Sequence, residues 1–326
     1  MGRGGLLERY SNIYVAGGDT LIGAALLRQL RRQGYACVLG DGVETPDPSS
    51  AEGIERFFRR HRIEYVFHAA GQSGGIFANQ NYPADLCFDN LSATLNFVGA
   101  AHRHGVHRLL YLASSCCYPK SCPQPMQESD LGGGEMEPSS HAYSSAKLAG
   151  VALCGAFRQQ YGDDFIVGIP ANAFGLEDDF DPQQAHVISA LLARLHQAKT
   201  QGRPSVTIWG SGAARREFLF ADDLADACLF VMRHSETPPL LNLGGGTEVS
   251  IRELAEMLRE VVGYPGKLDF DPNRPDGAPR KSLDSTWLRA MGWRPATEFH
   301  DALAATYTAY LDHLHGNHFP RMAHAG

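Results

Sequence analysis

The sequence predicts an α/β protein in which a doubly wound parallel sheet carries a smaller, discontinuous α/β unit. Three observations lead there. Through the first half, short β-rich runs alternate with longer helical patterns, as crossover helices between parallel strands require. The first run, Ile13–Ala16, passes through a glycine-bearing turn directly into a helix. After Pro170 the pattern loosens and stays interrupted. The combination is of Rossmann type, with residues 1–172 and 216–243 as the dinucleotide-binding part and 173–215 and 244–326 as the smaller part.

Each element follows from local pattern. Ile13–Ala16 is the first strand, and Leu21–Arg32 has the spacing of an amphipathic helix. Ala36–Leu39 is a second strand, Ala51–Arg60 a helix and Tyr65–His68 a third strand. A long helix covers Ala84–His104, a fourth strand Leu109–Ala113, a further helix Ala142–Tyr161 and a fifth strand Phe165–Ile169. A loop rich in Asp and Gly runs from Phe174 to Gln184, followed by a helix at Val187–Lys199 and a strand at Val206–Trp209. Then come a helix (Leu224–His234), a strand (Leu240–Leu243) and a helix (Ile251–Val262). A stretch rich in Pro and basic residues, Asp271–Leu283, leads to a last helix at His300–His315.

Composition excludes several function classes. A formal charge of −7 speaks against a general nucleic-acid role, because neutralising phosphates takes clustered Lys and Arg. No run approaches the roughly 18 apolar residues of a membrane helix, and the apolar patch in MGRGGLLERYSN is too small for a signal peptide. Cys37, Cys87, Cys116, Cys117, Cys122, Cys154 and Cys228 are odd in number and lack a metal-type CxxC pairing, so free thiols in a reducing cytoplasm are expected. Cys37 and Cys154 sit in apolar contexts and are expected to be buried. The trios His102, His104, His107 and His313, His315, His318 have no Cys or carboxylate at ligand spacing, and no metal is expected.

The first turn reads Gly17-Gly18-Asp19-Thr20-Leu21-Ile22-Gly23. Between a strand and a helix, such glycines let backbone N–H groups approach a pyrophosphate, whose charge the helix dipole favours. The second strand ends at Leu39-Gly40-Asp41, where a carboxylate accepts hydrogen bonds from adenosine ribose hydroxyls and repels a 2′-phosphate. No Arg or Lys lies between Arg32 and Arg56 to attract that phosphate. Asp19 and Asp41 therefore favour NAD over NADP, with Asp41 as a mere turn cap the open alternative.

Tyr143 and Lys147 lie four residues apart in His-Ala-Tyr-Ser-Ser-Ala-Lys, which brings both onto one helix face. An ammonium beside a phenol stabilises the phenolate, suiting Tyr143 to exchange a proton with a sugar oxygen while hydride moves. Ser114, at the end of the fourth strand, is placed to hydrogen-bond the same oxygen.

Leu112-Ala-Ser-Ser-Cys-Cys-Tyr-Pro119, Glu137-Pro138 and Tyr143-Ser-Ser-Ala-Lys147 together resemble the GDP-L-fucose synthase family of extended short-chain dehydrogenases. The resemblance continues through Ser73-Gly-Gly-Ile-Phe-Ala-Asn79, Tyr82-Pro-Ala-Asp85 and His186-Val-Ile-Ser-Ala-Leu191. It extends through Trp209-Gly-Ser-Gly212, Arg216-Glu-Phe-Leu219 and Pro275-Asp-Gly-Ala-Pro-Arg-Lys281, and so covers about Ile13 to Leu311. Enzymes of that family invert C3 and C5 of GDP-4-keto-6-deoxy-mannose and then reduce the C4 ketone with NADPH. The ketone acidifies both neighbouring carbons, so inversion must precede reduction.

By resemblance, Cys116 and His186 are the acid–base pair, in an order left open. Arg216 is expected on the diphosphate, and Trp209 and Lys281 on GDP or its ribose. Ser73, Gly74, Asn79 and Asn172 are expected along the sugar pocket; Ala69, Ala70, Lys147 and Asn172 complete the cofactor contacts. Without the resemblance, Cys116 reads as a small buried residue, His186 as a helix-start residue and Trp209 as core packing. Cys117 reads as packing in any case. The resemblance also implies a homodimer through the helices Ala84–His104 and Ala142–Tyr161. The sequon Asn90-Leu91-Ser92 carries no meaning in a cytoplasmic protein.

The departures concentrate at the cofactor. The family's loop typically reads Gly-His-Arg-Gly, with a second Arg after the second strand; here those places hold Gly17-Gly18-Asp19-Thr20 and Gly40-Asp41. Two enzymatic readings follow: an epimerase-reductase running on NADH, or an epimerase that recycles a retained NAD on another nucleotide sugar. A third reading, a dinucleotide-binding protein without catalysis, is opposed by the complete set Ser114, Cys116, Tyr143, Lys147 and His186.

Overall fold

The computed structural model describes residues 7–42, 44–181, 185–274 and 276–316. Gln184, Pro275, His318 and the outermost ends of the two expected parts lie outside the described residues. The first half builds β1 (Ile13–Ala16), α1 (Leu21–Arg32), β2 (Val38–Leu39), α2 (Ala51–His61) and β3 (Tyr65–His68). It continues with α3 (Ile76–Asn81), α4 (Pro83–Arg103), β4 (Arg108–Leu112), α5 (His141–Tyr161) and β5 (Phe165–Pro170). The second half supplies β6 (Asn172–Phe174), α6 (Val187–Thr200), β7 (Ser205–Trp209), β8 (Arg215–Phe220), α7 (Ala221–Arg233) and β9 (Leu240–Leu243). Last come β10 (Thr247–Ser250), α8 (Ile251–Val262), β11 (Lys267–Asp271), β12 (Arg280–Lys281), α9 (Thr286–Ala290) and α10 (Phe299–Leu314).

Six strands form a parallel sheet in the order β2-β1-β3-β4-β5-β9. Helices α1 and α7 pack together on one face, while α2, α4 and α5 pack on the other. Strands β1, β3, β4 and β5 are buried along their whole length, which is why they read as continuous rather than alternating apolar runs. From β1 the chain moves outward to β2, then returns to the opposite side with β3. Open α/β sheets bind ligands outside the carboxyl ends of the strands at such a reversal.

A smaller sheet is centred on β8, antiparallel to β10 and parallel to β12 at its start and β6 at its end. Strand β7 pairs with β11. None of β6, β8, β10, β11, β12, α3 or α9 was expected. All have two to six residues, too few for a period to show, and the charged start of β8, Arg-Arg-Glu, masks its strand character. Phe174, expected to open a loop, closes β6 instead. Strand β2 is only two residues long at the sheet edge, so Cys37 beside it is exposed, not buried as expected. Cys154 is buried, and all seven thiols are free.

Buried apolar side chains fall into two clusters. One surrounds the parallel sheet; the other gathers Phe174, Leu192, Phe218, Leu254 and Leu303 among the smaller strands and α6, α8 and α10. Leu283, Leu288 and Trp293 join the first cluster, although they lie in the stretch expected for the smaller part. Trp293 Nε1 anchors that stretch by donating to Asp226 of α7 at 3.0 Å. Carboxylates distant in sequence do approach the first histidine trio: His102 meets Asp163 and His104 meets Glu55, each at 2.7 Å. Each imidazole takes a different carboxylate, and among the described residues no group of three metal-ligating side chains forms. Among the same residues, no helix is long and apolar enough to cross a membrane.

One contact sets the position of α5. A Cβ on Gly150 would lie 2.4 Å from the Tyr111 ring, and the Tyr111 hydroxyl donates to the Lys147 carbonyl at 3.2 Å. The ring is fully buried and has nowhere to move. Gly150→Ala should therefore lower unfolding stability by about 1–2 kcal/mol, overpacking outweighing the better helix propensity of Ala. Urea unfolding checks this, and a variant as stable as the parent would mean that α5 has slack against β4.

Candidate active site

The turn after β1 meets the end of β3. Gly17 has φ +80°, and a Cβ there would lie 2.6 Å from Ala70 Cα. A Cβ on Gly18 would meet the Gly40 carbonyl at 2.1 Å, and one on Gly23 the Gly17 carbonyl at 1.8 Å. Thr20 caps α1, accepting from Gly23 N at 3.1 Å and donating to Gly17 O at 2.8 Å and Ala69 O at 3.5 Å. Gly17, Thr20, Gly23, Ala69 and Ala70 thus converge at the β1/β3 reversal, with Leu21 and Ile22 opening the helix. No acidic side chain lies in the first turn of α1, so its N–H groups and dipole are left for an anion. The crevice fits a dinucleotide pyrophosphate.

Asp41 has a basic partner that lies just ahead of the gap in basic residues after Arg32. Its carboxylate pairs with Arg31 in the last turn of α1. On the other side of the crevice, a Cβ on Gly71 would lie 2.2 Å from Asn90 Oδ1 and 3.5 Å from Lys147 Nζ. Asn90 is buried; its Nδ2 donates to Gln72 O at 2.8 Å and Leu86 O at 2.7 Å, while Oδ1 has no partner. That orphaned acceptor, beside Lys147 and the crevice, belongs to the site and was missed. The available signal was an amide within the buried stretch of α4; burial also bars a glycan from this sequon. His68, at the end of β3, is fully buried edge-on to Phe97 and Tyr111, and burial pushes it down to about 3, so it packs as a neutral ring.

Past β4, Ser114 caps the 3₁₀ turn Ser115–Cys117, accepting from Cys116 N at 3.2 Å. The same hydroxyl lies beside the Tyr143 phenol and the Cys116 thiol and favours ionisation of both. Lys281 Nζ lies 3.4 Å from Cys116 Sγ, and Ser140, just before α5, bonds the thiol as well. Ser114, Cys116, Tyr143 and Lys281 therefore form one cluster. Burial opposes ionisation of Cys116, but the Lys281 charge and the three hydrogen bonds outweigh it and hold the thiol below its ordinary value. Cys117 packs as expected: it is fully buried, Sγ reaches Ser144 O at 3.6 Å, and burial pushes it up to about 12.

The expected lowering of the Tyr143 pKa by Lys147 is not found. Burial, and then the Cys116 charge, push the phenol up, with only the Ser114 hydrogen bond opposing. Lys147 Nζ donates to the Leu112 carbonyl at 3.3 Å, and burial pushes this ammonium down to about 8. Two desolvated groups on one helix face each lean toward neutrality.

The remaining expected residues lie outside this hydrogen-bonded cluster among the described residues. Arg216 stands in register with Lys281 on β8 and donates to the Arg215 and Ala278 carbonyls at 2.8 and 2.6 Å. Trp209 is 67% exposed, which overturns core packing, with the Arg274 guanidinium 5.1 Å from its ring centroid. His186 is exposed at the start of α6 without a side-chain cap bond, close enough to the buried Asp178 to act on its carboxylate. Asn172 Nδ2 donates to Glu217 O at 2.7 Å, tying β6 to β8. Ser73 is exposed, and Asn79 closes its own loop by donating to Gly74 O at 2.9 Å and Gly75 O at 3.1 Å. Glu217, not anticipated, is a buried carboxylate accepting from Gly245 N, Gly246 N and Leu283 N at 2.6, 3.1 and 2.7 Å.

Known proteins resemble this chain in sequence and fold. The NAD dependent epimerase/dehydratase family matches residues 13–244. GDP-L-fucose synthase 1 of Arabidopsis thaliana is 43% identical over 307 residues, spanning 94% of this chain and 95% of its own. The chain belongs to the NAD dependent epimerase/dehydratase family, and within it to the GDP-L-fucose synthase family. The family's GDP-L-fucose synthase of Escherichia coli (strain K12) is 41% identical over 309 residues, covering 92% of this chain and 96% of its own. Among solved structures, a GDP-L-fucose synthetase from Naegleria fowleri bound to NADP has a TM-score of 0.86 at 25% identity, covering 95% of this chain and 97% of that one.

Proposed function

We propose that the chain is a GDP-4-keto-6-deoxy-mannose 3,5-epimerase-4-reductase that makes GDP-L-fucose. The observation that carries this reading is the single cluster of Ser114, Tyr143 and Cys116. It joins a pair suited to a reacting C4 oxygen with a thiol suited to a carbon acid, and simple hydride transfer has no use for the thiol. Relatives named for this activity at 41% and 43% identity support it.

A nicotinamide dinucleotide bound in the β1/β3 crevice supplies the hydride. The chain's own groups do the rest. Arg216 meets the diphosphate with a planar fork, and the exposed Trp209 ring covers the base or ribose. Ser114 donates to the C4 oxygen, which polarises the ketone and acidifies C3–H and C5–H. Cys116 and His186 remove and return those protons on opposite faces of the ring. Tyr143, held neutral by burial, is in the form that gives a proton to the C4 oxygen during reduction. Lys147, at about 8, keeps most of its charge at neutral pH and, with its ammonium next to Gly71, would hold the cofactor ribose. The division into a dinucleotide part and a nucleotide-sugar part is supported by the two core clusters.

NAD is the preferred cofactor in this reading. Asp19 stands in the phosphate loop, and Arg31, the base nearest Asp41, is already paired with it. A homodimer through α4 and α5 is supported by the exposed Phe88 and Leu95, two helical turns apart on α4, and by the small exposed Ala149, Ala152 and Ala156 of α5. Seven free thiols suit a reducing cytoplasm.

With GDP-4-keto-6-deoxy-mannose, purified enzyme should consume reduced nicotinamide stoichiometrically, faster as NADH than as NADPH, and Tyr143→Phe should bind cofactor but turn over at least about 100-fold more slowly. No consumption, together with protein that already carries NAD, would favour instead a recycling epimerase acting on another nucleotide sugar. The double variant Asp19→Arg, Asp41→Gly should bind NADPH at least about tenfold more tightly, a gain of roughly 1.4 kcal/mol; an unchanged fluorescence titration would count against the cofactor argument. Light scattering should report a dimer for the parent and a monomer for Leu95→Glu, and a monomeric parent would remove the proposed interface.

A further inference from the structure

Lys281 reaches Cys116 from 165 residues away in sequence, and several contacts bring it there. Strand β12 is two residues long, with Lys281 in register with Arg216. On one side of Lys281, Arg280 is drawn out to Glu248 by hydrogen bonds of 2.7 to 3.1 Å. On the other, Ser282 N donates to Gln124 Oε1 at 2.9 Å, Ser282 O accepts from Met126 N at 2.8 Å, and Leu283 N donates to the buried Glu217 at 2.7 Å. With both neighbours tied down, the intervening side chain turns inward, and its ammonium ends on sulfur.

We propose that Lys281 is a positioning residue for Cys116: its ammonium, 3.4 Å from Sγ, holds the sulfur as a thiolate at the end of β4. The inference rests on the reading of Cys116 as an acid–base group and deepens it, since that reading gave Lys281 only to the nucleotide. Cys116 is half-buried, so water screens the pair only in part. The other groups that bear most on it carry no positive charge. Tyr143 on α5 and Cys117 in its own turn are neutral when protonated and repel the thiolate when ionised; Ser114 and Ser140 contribute only hydroxyls. Lys147 bears on Cys117. Lys281 is thus the cation that bears most strongly on this sulfur, and its direction agrees with the lowered thiol pKa. In the proposed step a carbon proton passes to sulfur, giving a neutral thiol, while Lys281 keeps its own protons.

The test reads the thiol directly, without substrate. The ligand-free full-length enzyme is alkylated with iodoacetamide across pH, and modification of Cys116, resolved from Cys117 by fragmentation, is followed by mass spectrometry. In Lys281→Met the Cys116 rate at pH 7 should fall about tenfold or more and its profile should move to higher pH, because only the thiolate reacts. Lys281→Arg should restore the parent profile, and the exposed Cys37 should react alike in all. Lys281→Gln repeats the test should Lys281→Met fold poorly, as judged by its melting temperature. An unchanged Cys116 profile in a folded neutral variant would overturn the proposal. Deuterium uptake at C3 and C5 that survives Cys116→Ser would sink the acid–base role of Cys116 and leave the alkylation result standing, so the two failures are separable.

Discussion

The Tyr111 ring sits where a side chain on Gly150 would be, and that contact sets the distance between α5 and β4 on which the chemistry depends. The strand end carries Ser114 and the turn to Cys116, while the helix carries Tyr143 and Lys147. With helix and strand this close, Lys147 hydrogen-bonds the Leu112 carbonyl and the Tyr111 hydroxyl bonds the Lys147 carbonyl. Proximity has an electrostatic consequence. Burying an ammonium costs several kcal/mol when solvation is lost, and both groups respond by shifting toward their neutral forms, Tyr143 staying protonated and Lys147 still mostly charged at neutral pH. A phenol kept protonated is a proton donor in waiting, which suits reduction better than oxidation.

The smaller sheet acts on that site from the side. Strand β8 presents Arg216 and receives β12 with Lys281 alongside, so the residue proposed for a diphosphate and the one beside the Cys116 thiol arrive on one scaffold. Glu217 holds the arrangement together. Its carboxylate takes three backbone N–H groups from the β9–β10 turn and from Leu283, yet burial still raises its pKa, a sign of how far this joint is withdrawn from water. The two hydrophobic clusters meet around this joint, because Leu283 and Leu219 pack with the first while Phe218 packs with the second.

At the cofactor, the same crevice geometry carries an altered charge pattern. The glycine turn and Ala69–Ala70 keep the close backbone approach that any dinucleotide needs. In the proposed reading the acidic residues act on the adenosine end, where Asp41 is paired with Arg31 and Asp19 is exposed. Charge at that end and shape at the pyrophosphate are thus separately adjustable, and one can change while the other stays.

By itself, the sequence determined what rests on local pattern. All six strands of the parallel sheet were legible as apolar runs, their crossover helices as amphipathic periods, and the phosphate turn as glycines between a strand and a helix. Tyr143 and Lys147 were legible because helical spacing alone places them together. Tertiary structure alone decided what those groups experience. The spacing that pairs Lys147 with Tyr143 says nothing of desolvation, which reverses the expected pKa shift. A two-residue strand has no period, so nothing in Arg280–Lys281 announces a partner at Cys116, and nothing in Arg31 announces Asp41. Periodicity is a property of neighbours along the chain; burial and charge pairing belong to neighbours in space, and those exist only once the two clusters have packed.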